Sequence, residues 1–169
     1  YGNPTNFRRE KSVPKIIDEI AYLKKRYKLE IIRYQDETFL TMKKEKLQEL
    51  ASVYKKHVDL PFIIEATVNS ITEEKIACLK EMGCLSISLG LESGSPYIRD
   101  TIIKKPRFTN DEAVRNIRII KKSGINVTVF NILGFPEETR DMIFSTIEVN
   151  YQAKPQYCMA SYFQPWEGT

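Results

Sequence analysis

The chain has 169 residues, 42% apolar and 28% charged, with 26 Lys and Arg against 22 Asp and Glu for a formal charge of +4. So mild a charge, with the two signs mixed, argues against a dedicated nucleic-acid binder while tolerating an anionic ligand, and no apolar run approaches the ~20 residues that span a bilayer. One histidine, His57, leaves no multi-histidine metal site and little room for imidazole catalysis. The expectation is a soluble, cytoplasmic single domain, large enough to bury ~70% of the surface its unfolded chain would expose, with neither membrane nor nucleic acid as partner.

In chain order, two hydrophobic periods alternate. Ser12 to Tyr27 carries Val13, Ile16, Ile20, Leu23 and Tyr27 at helical spacing behind Pro14. Leu29 to Tyr34 reads as a strand, Lys43 to His57 as a helix, and Phe62 to Val68 as the next strand. The third helix is capped by Thr72, flanked by Ile71 and Ile76 at staple spacing, and closed by Gly83. Cys84 to Leu91 is again a strand. Thr109 and Glu112 have capping-box spacing before a helix that ends at Gly124, Ile125 to Leu133 is a strand, Glu137 to Tyr151 a helix, and Tyr157 to Phe163 a last strand. Strands alternating with helices imply right-handed crossovers and a parallel sheet covered by helices, an α/β fold. The first helix has no strand before it, so a strand and its loop are expected to precede Tyr1 in a parent protein.

In parallel strand–helix folds ligands lie at the carboxyl ends of the strands. Here those ends carry Gln35-Asp36-Glu37-Thr38, Thr67-Val68-Asn69, Glu92-Ser93-Gly94-Ser95, Asn131 through Glu137, and Gln164-Pro165-Trp166-Glu167. Polar and glycine residues converging on one rim, above largely apolar strand bodies, mark a binding site. Glu92 stands out, because a carboxylate there can accept from ribose hydroxyls or pair with a cation. The cysteines Cys78, Cys84 and Cys158 match neither zinc nor iron–sulfur spacing and read as buried or half-buried thiols. Lys104, Lys105 and Arg107 read as a solvated basic loop.

The runs Ser88-Leu89-Gly90-Leu91-Glu92-Ser93-Gly94-Ser95, Ile132-Leu133-Gly134-Phe135-Pro136-Glu137 and Phe163-Gln164-Pro165-Trp166-Glu167-Gly168-Thr169 closely resemble the radical S-adenosylmethionine (SAM) enzymes, nearest to the subgroup often fused to a cobalamin-binding domain. The resemblance implies a partial (β/α)6 TIM-like barrel over residues 1–169, with the first strand absent and five parallel strands visible. It also implies a 4Fe-4S cluster on a Cys-x-x-x-Cys-x-x-Cys loop, which reduces SAM to methionine and a 5'-deoxyadenosyl radical. Carried over by position, Glu92 and Ser93 match the ribose-binding strand end. Ile132 and Gly134, with Glu137, match the element that packs on adenine and shapes the next helix, a segment that includes Asn131 and in which Phe130 replaces the usual first glycine. Gln35, Asp36 and Glu37 match the end near the methionine amino group, Thr67 and Asn69 the next strand end, and Phe163 and Gln164 would flank adenine.

No cysteine of this chain stands at the cluster spacing; those ligands are expected before Tyr1. The reading is therefore the SAM-binding core of a radical enzyme of oxidoreductase or methyltransferase type, inactive alone. It implies an electron-donor protein, a small-molecule or peptide substrate, and cobalamin as a further cofactor open to the parent. The alternative is a degenerate barrel serving as a binding or scaffold module. An aldolase or phosphate-binding barrel would want a lysine or a glycine-rich phosphate loop at a strand end, and neither is found.

Overall fold

A computed structural model describes residues 10–36, 39–105 and 107–165. The elements run α1 (Val13–Arg26), β1 (Ile32–Arg33), α2 (Lys44–His57), β2 (Phe62–Thr67), α3 (Glu73–Met82), β3 (Cys84–Glu92), α4 (Asn110–Lys122), β4 (Asn126–Leu133), α5 (Arg140–Ala153) and β5 (Tyr157–Tyr162). All strand pairs are parallel and the sheet order is β1-β2-β3-β4-β5. A strand order that never reverses, with crossovers of one hand, puts every helix on the same face, so the sheet curls into a half-barrel with helices outside. The expected α/β half-barrel of five parallel strands is the observed fold.

Local signals place most helix starts. The Thr72 hydroxyl accepts from the Lys75 amide at the head of α3, with Ile71 and Ile76 both buried beside it. Thr109 and Glu112 form a full capping box at the head of α4, each side chain accepting from the other's backbone amide. Two boundaries differ from expectation. β1 shrinks to two residues, because among the described residues it pairs on one side only and is preceded by the charged Lys28 and Glu30. α5 starts at Arg140, not Glu137: Thr139 caps it, while the Glu138 carboxylate turns back to accept from the amides of Gly134 (2.5 Å) and Phe135 (3.3 Å).

The strands alternate faces. Phe62, Ile64 and Ala66 of β2, Ile87, Leu89 and Leu91 of β3, and Val127 and Val129 of β4 point to the helices and are buried against Leu47, Leu50, Tyr54, Leu79, Ile117 and Ile120. Each Val, Leu, Ile or Phe among them contributes ~1.5–3 kcal/mol of burial, so this convex layer is what holds the sheet. The concave face is different in kind. The register aligns Glu65, Ser88, Thr128 and Tyr157 in one row and Thr67, Gly90, Phe130 and Met159 in the row above. Arg33 reaches Glu65 at 2.7 Å across this face. β5 is exposed along its whole length, and Cys158 with it, which corrects the reading of that thiol as buried or half-buried, although its Sγ meets Asn131 and Asn150. No helix among the described residues is long and apolar enough to cross a membrane.

Candidate functional site

The carboxyl end of β3, the central strand, carries the most constrained backbone of the rim. Past Gly90 the pairing with β4 slips by one residue, so that Leu91 and Glu92 together oppose Asn131. Such a bulge re-aims a side chain and ends the ladder. Glu92 sits there at φ 63°, a left-handed conformation that costs a non-glycine residue of order 1 kcal/mol. Lys104 and Glu137, in the loops after β3 and β4, are left-handed too. Asp59 and Lys154, ahead of β2 and β5 at the opposite end of the sheet, are left-handed as well, so what distinguishes Glu92 is that it takes this conformation at a bulge on a strand end.

Glu92 is paired. Lys105 Nζ lies 2.9 Å from Glu92 Oε1 and 3.1 Å from the Gly90 carbonyl oxygen, to which it donates. Their side chains are only 17% and 21% exposed, against 34% to 89% for the isolated surface pair Asp100 and Arg107. Partial burial strengthens the attraction and fixes the carboxylate. The basic loop read as solvated is thus half-turned into the site. Lys105 is the contact that sequence reasoning missed, because a one-turn π-helix, Ile98–Ile102, folds the chain back over the strand end.

The next three residues are locked down. Ser93, Gly94 and Ser95 are buried. The Gly94 amide donates to Thr146 Oγ1 at 2.7 Å, and its carbonyl accepts from Asn110 Nδ2 at 2.9 Å and Ser145 Oγ at 3.0 Å. The Ser93 hydroxyl accepts from the Ser95 amide and lies 3.4 Å from Thr146 Oγ1. Ser93 therefore supports the loop from beneath while Glu92 faces the rim.

The other sequence candidates fall into distinct places. Thr67 ends β2 on the concave face, level with Gly90, and Asn69 is exposed in the 3-10 turn Val68–Ser70 that follows. Gln35 and Asp36 are exposed beyond β1; Glu37 lies outside the described residues. Ile132 is half-buried on the concave side of β4, and Gly134 follows at the rim with φ 82°. Phe163 donates its amide to the Leu133 carbonyl at 2.7 Å and packs on Phe135 with ring centroids 5.0 Å apart, with Gln164 exposed beside it. Tyr97 donates to the Glu137 carboxylate, tying the loops after β3 and β4 together. Asn131 is set apart. It is 3% exposed on the convex side, where its amide bonds Met159, Cys158 and Asn150.

Among the described residues no group of three or more His, Cys, Asp or Glu is placed to hold a metal ion. Cys78 lies within α3, Cys84 at the start of β3 and Cys158 near the start of β5, away from the carboxyl-end rim. Burial pushes the Cys84 thiol up to about 12, so it is no ready thiolate. These residues do not fit an iron–sulfur cluster.

A curled parallel sheet with a charge-paired rim at its carboxyl ends defines a half-barrel with a candidate site on that rim. The Radical SAM superfamily description matches residues 2–149, and the chain belongs to that superfamily. It is 29% identical over 158 residues to the uncharacterized methyltransferase PH0819 of Pyrococcus horikoshii, covering 94% of this chain and 34% of that protein. Among solved structures it resembles the radical SAM methyltransferase TsrM of Kitasatospora setae, described with cobalamin and a [4Fe-4S] cluster bound, at TM-score 0.77 and 19% identity over 92% of this chain and 31% of that one. It also resembles the cobalamin-dependent SAM radical enzyme OxsB with aqua-cobalamin bound, at TM-score 0.70 and 19% identity over 83% and 22% of the two chains. The chain thus spans about a third of the curated relative's length.

Proposed function

We propose that this chain is the SAM-binding half-barrel of a cytoplasmic radical SAM enzyme of methyltransferase or oxidoreductase type. Its cluster-binding cysteines would lie outside these residues, on a strand and loop preceding them. The observation that carries the reading is Glu92, left-handed at a bulge on the central strand end and held by Lys105. In this reading Glu92 accepts from the ribose hydroxyls, and Lys105 fixes its carboxylate. Gln35 and Asp36 line the methionine side, Thr67 and Asn69 the next strand end, and Ile132, Gly134, Phe163 and Gln164 the adenine side. A cluster held by those cysteines would supply the electron for SAM cleavage, a role for which no residue described here would substitute. An electron-donor protein, a small-molecule or peptide substrate, and cobalamin in the manner of TsrM and OxsB complete the proposed assembly.

Binding of SAM to the chain, followed by calorimetry, tests the reading. Glu92→Ala removes a charged acceptor and is expected to weaken binding about 10- to 100-fold, the range of a charge-assisted hydrogen bond. Unchanged affinity would remove Glu92 from the ribose site, and a wild-type chain with no affinity for SAM would overturn the proposal. Iron–sulfur reconstitution is the companion measurement: stoichiometric cluster uptake by the chain would show that the ligands are within it after all. The degenerate-barrel alternative shares the SAM site but predicts that no Cys-x-x-x-Cys-x-x-Cys segment precedes these residues in the parent.

A further inference from the structure

Arg99 is the largest fully buried side chain among the described residues, at 1% exposure. A guanidinium out of water costs several kcal/mol unless its donors are met, and the usual partner is a carboxylate. Here none bonds it. Nη1 donates to the Ser93 carbonyl at 2.7 Å and to Asn110 Oδ1 at 2.9 Å, Nη2 donates to the Phe108 carbonyl at 3.1 Å, and the group lies 4.5 Å from the centroid of the Phe108 ring. Its Nε is left without a partner. An apolar side chain of similar length would fill this space without the desolvation cost. Stability alone is therefore a poor account of an arginine here.

What the guanidinium does instead is fix peptide planes. The Ser93 carbonyl is one residue beyond Glu92, and Asn110, which Arg99 holds through its Oδ1, donates to the carbonyl of Gly94. The backbone of Arg99 acts on the other half of the pair: its carbonyl accepts from the Lys105 amide at 2.9 Å. One residue thus anchors both sides of the excursion that begins at Glu92 and returns Lys105 to it.

We propose that the Arg99 guanidinium is a positioning group for the rim ion pair, holding the peptide planes of Ser93 and Gly94 and through them Glu92 in its left-handed conformation opposite Lys105, so that the site is formed before ligand arrives. The inference rests on the reading of Glu92 as a SAM contact, and a preformed site binds more tightly because less ordering is left to the ligand.

Arg99→Met keeps the length and discards the donors. The expected result is a thermal midpoint within a few degrees of wild type, SAM affinity about tenfold weaker, and faster hydrogen exchange confined to the 92–95 segment, with β2 and the rest of β3 unchanged. Arg99→Lys, which can still reach one carbonyl, should fall between the two. Wild-type affinity together with wild-type exchange at 92–95 in Arg99→Met would overturn the proposal, as would a drop in stability that leaves the affinity of the folded fraction untouched. Should Arg99→Met fail to fold, Arg99→Lys decides on the same two readouts, and identity with wild type in both overturns it. If the wild-type chain does not bind SAM, the ligand reading fails, while the exchange measurement still decides whether Arg99 orders the rim.

Discussion

Gly94→Ala is expected to cost about 3 kcal/mol or more of folding stability, the upper end of what overpacking a core does. A Cβ at this position would stand 2.4 Å from the carbonyl carbon and oxygen of Ser145 and 2.5 Å from the Thr146 nitrogen. Those are backbone atoms of α5, and a helix backbone gives way only by moving the helix or the loop. Either movement breaks the bond from the Gly94 amide to Thr146 and exposes or orphans a buried donor, adding to the steric cost. Urea unfolding at fixed pH reads the effect directly, and a loss below about 1 kcal/mol would mean that α5 and the rim loop are not docked as described. Gly90→Ala is the control. Its Cβ would meet Glu92 Oε1 at 2.3 Å and Lys105 Nζ at 2.8 Å, the ends of flexible side chains, so it should displace the ion pair while leaving the urea midpoint nearly unchanged.

The contrast between these two glycines marks how far the sequence is legible. Helix starts at Thr72 and Thr109 were readable because a cap is a contact between residues three apart. The alternation of strand and helix was enough for an α/β fold with its rim at the strand ends, and Glu92 was found there. The partners of Glu92 are not legible in the sequence, for a physical reason. Lys105 is 13 residues away along the chain by residue number, beyond a π-helical turn that no hydrophobic period announces. Arg99 carries the same obstacle: a buried arginine has no signature distinguishing it from a solvated one until its carbonyl partners are placed. The start of α5 is not legible because the acid pair Glu137 and Glu138 looks like a first helical turn, whereas the Glu138 carboxylate accepts from the amides of the turn ahead of it. For Asn131 a signal was present. It continues the period-2 row of Val127 and Val129, which face the helices, so its parity alone assigns it to the convex side.

That placement makes Asn131→Asp a sharp test of the convex network. The Asn131 amide nitrogen donates to the Met159 carbonyl at 3.0 Å, with the Val129 carbonyl at 3.4 Å and Cys158 Sγ at 3.3 Å, while its oxygen accepts from Asn150 at 2.9 Å. The substitution keeps the shape and replaces the donor by an oxygen that faces two carbonyls. Burial and those carbonyl dipoles both disfavour the charged form, so the new carboxyl's folded-state pKa rises above the ~3.9 of an unfolded aspartate. The sign then follows. Below the unfolded value both states are protonated, the new hydroxyl can donate to Met159, and the variant keeps most of its stability. As pH climbs, the unfolded state releases its proton first, and stability falls by about 1.4 kcal/mol per unit until the folded-state value is passed. At pH 8 the gap to wild type should reach roughly 3–5 kcal/mol, the cost of a buried charge without its partner. At pH 4 it should shrink toward 1 kcal/mol, about the worth of one exchanged hydrogen bond. Urea midpoints measured across that range decide the matter: a gap that stays flat with pH would mean that the side chain at 131 reaches water, and that β5 is held to β4 by backbone pairing alone.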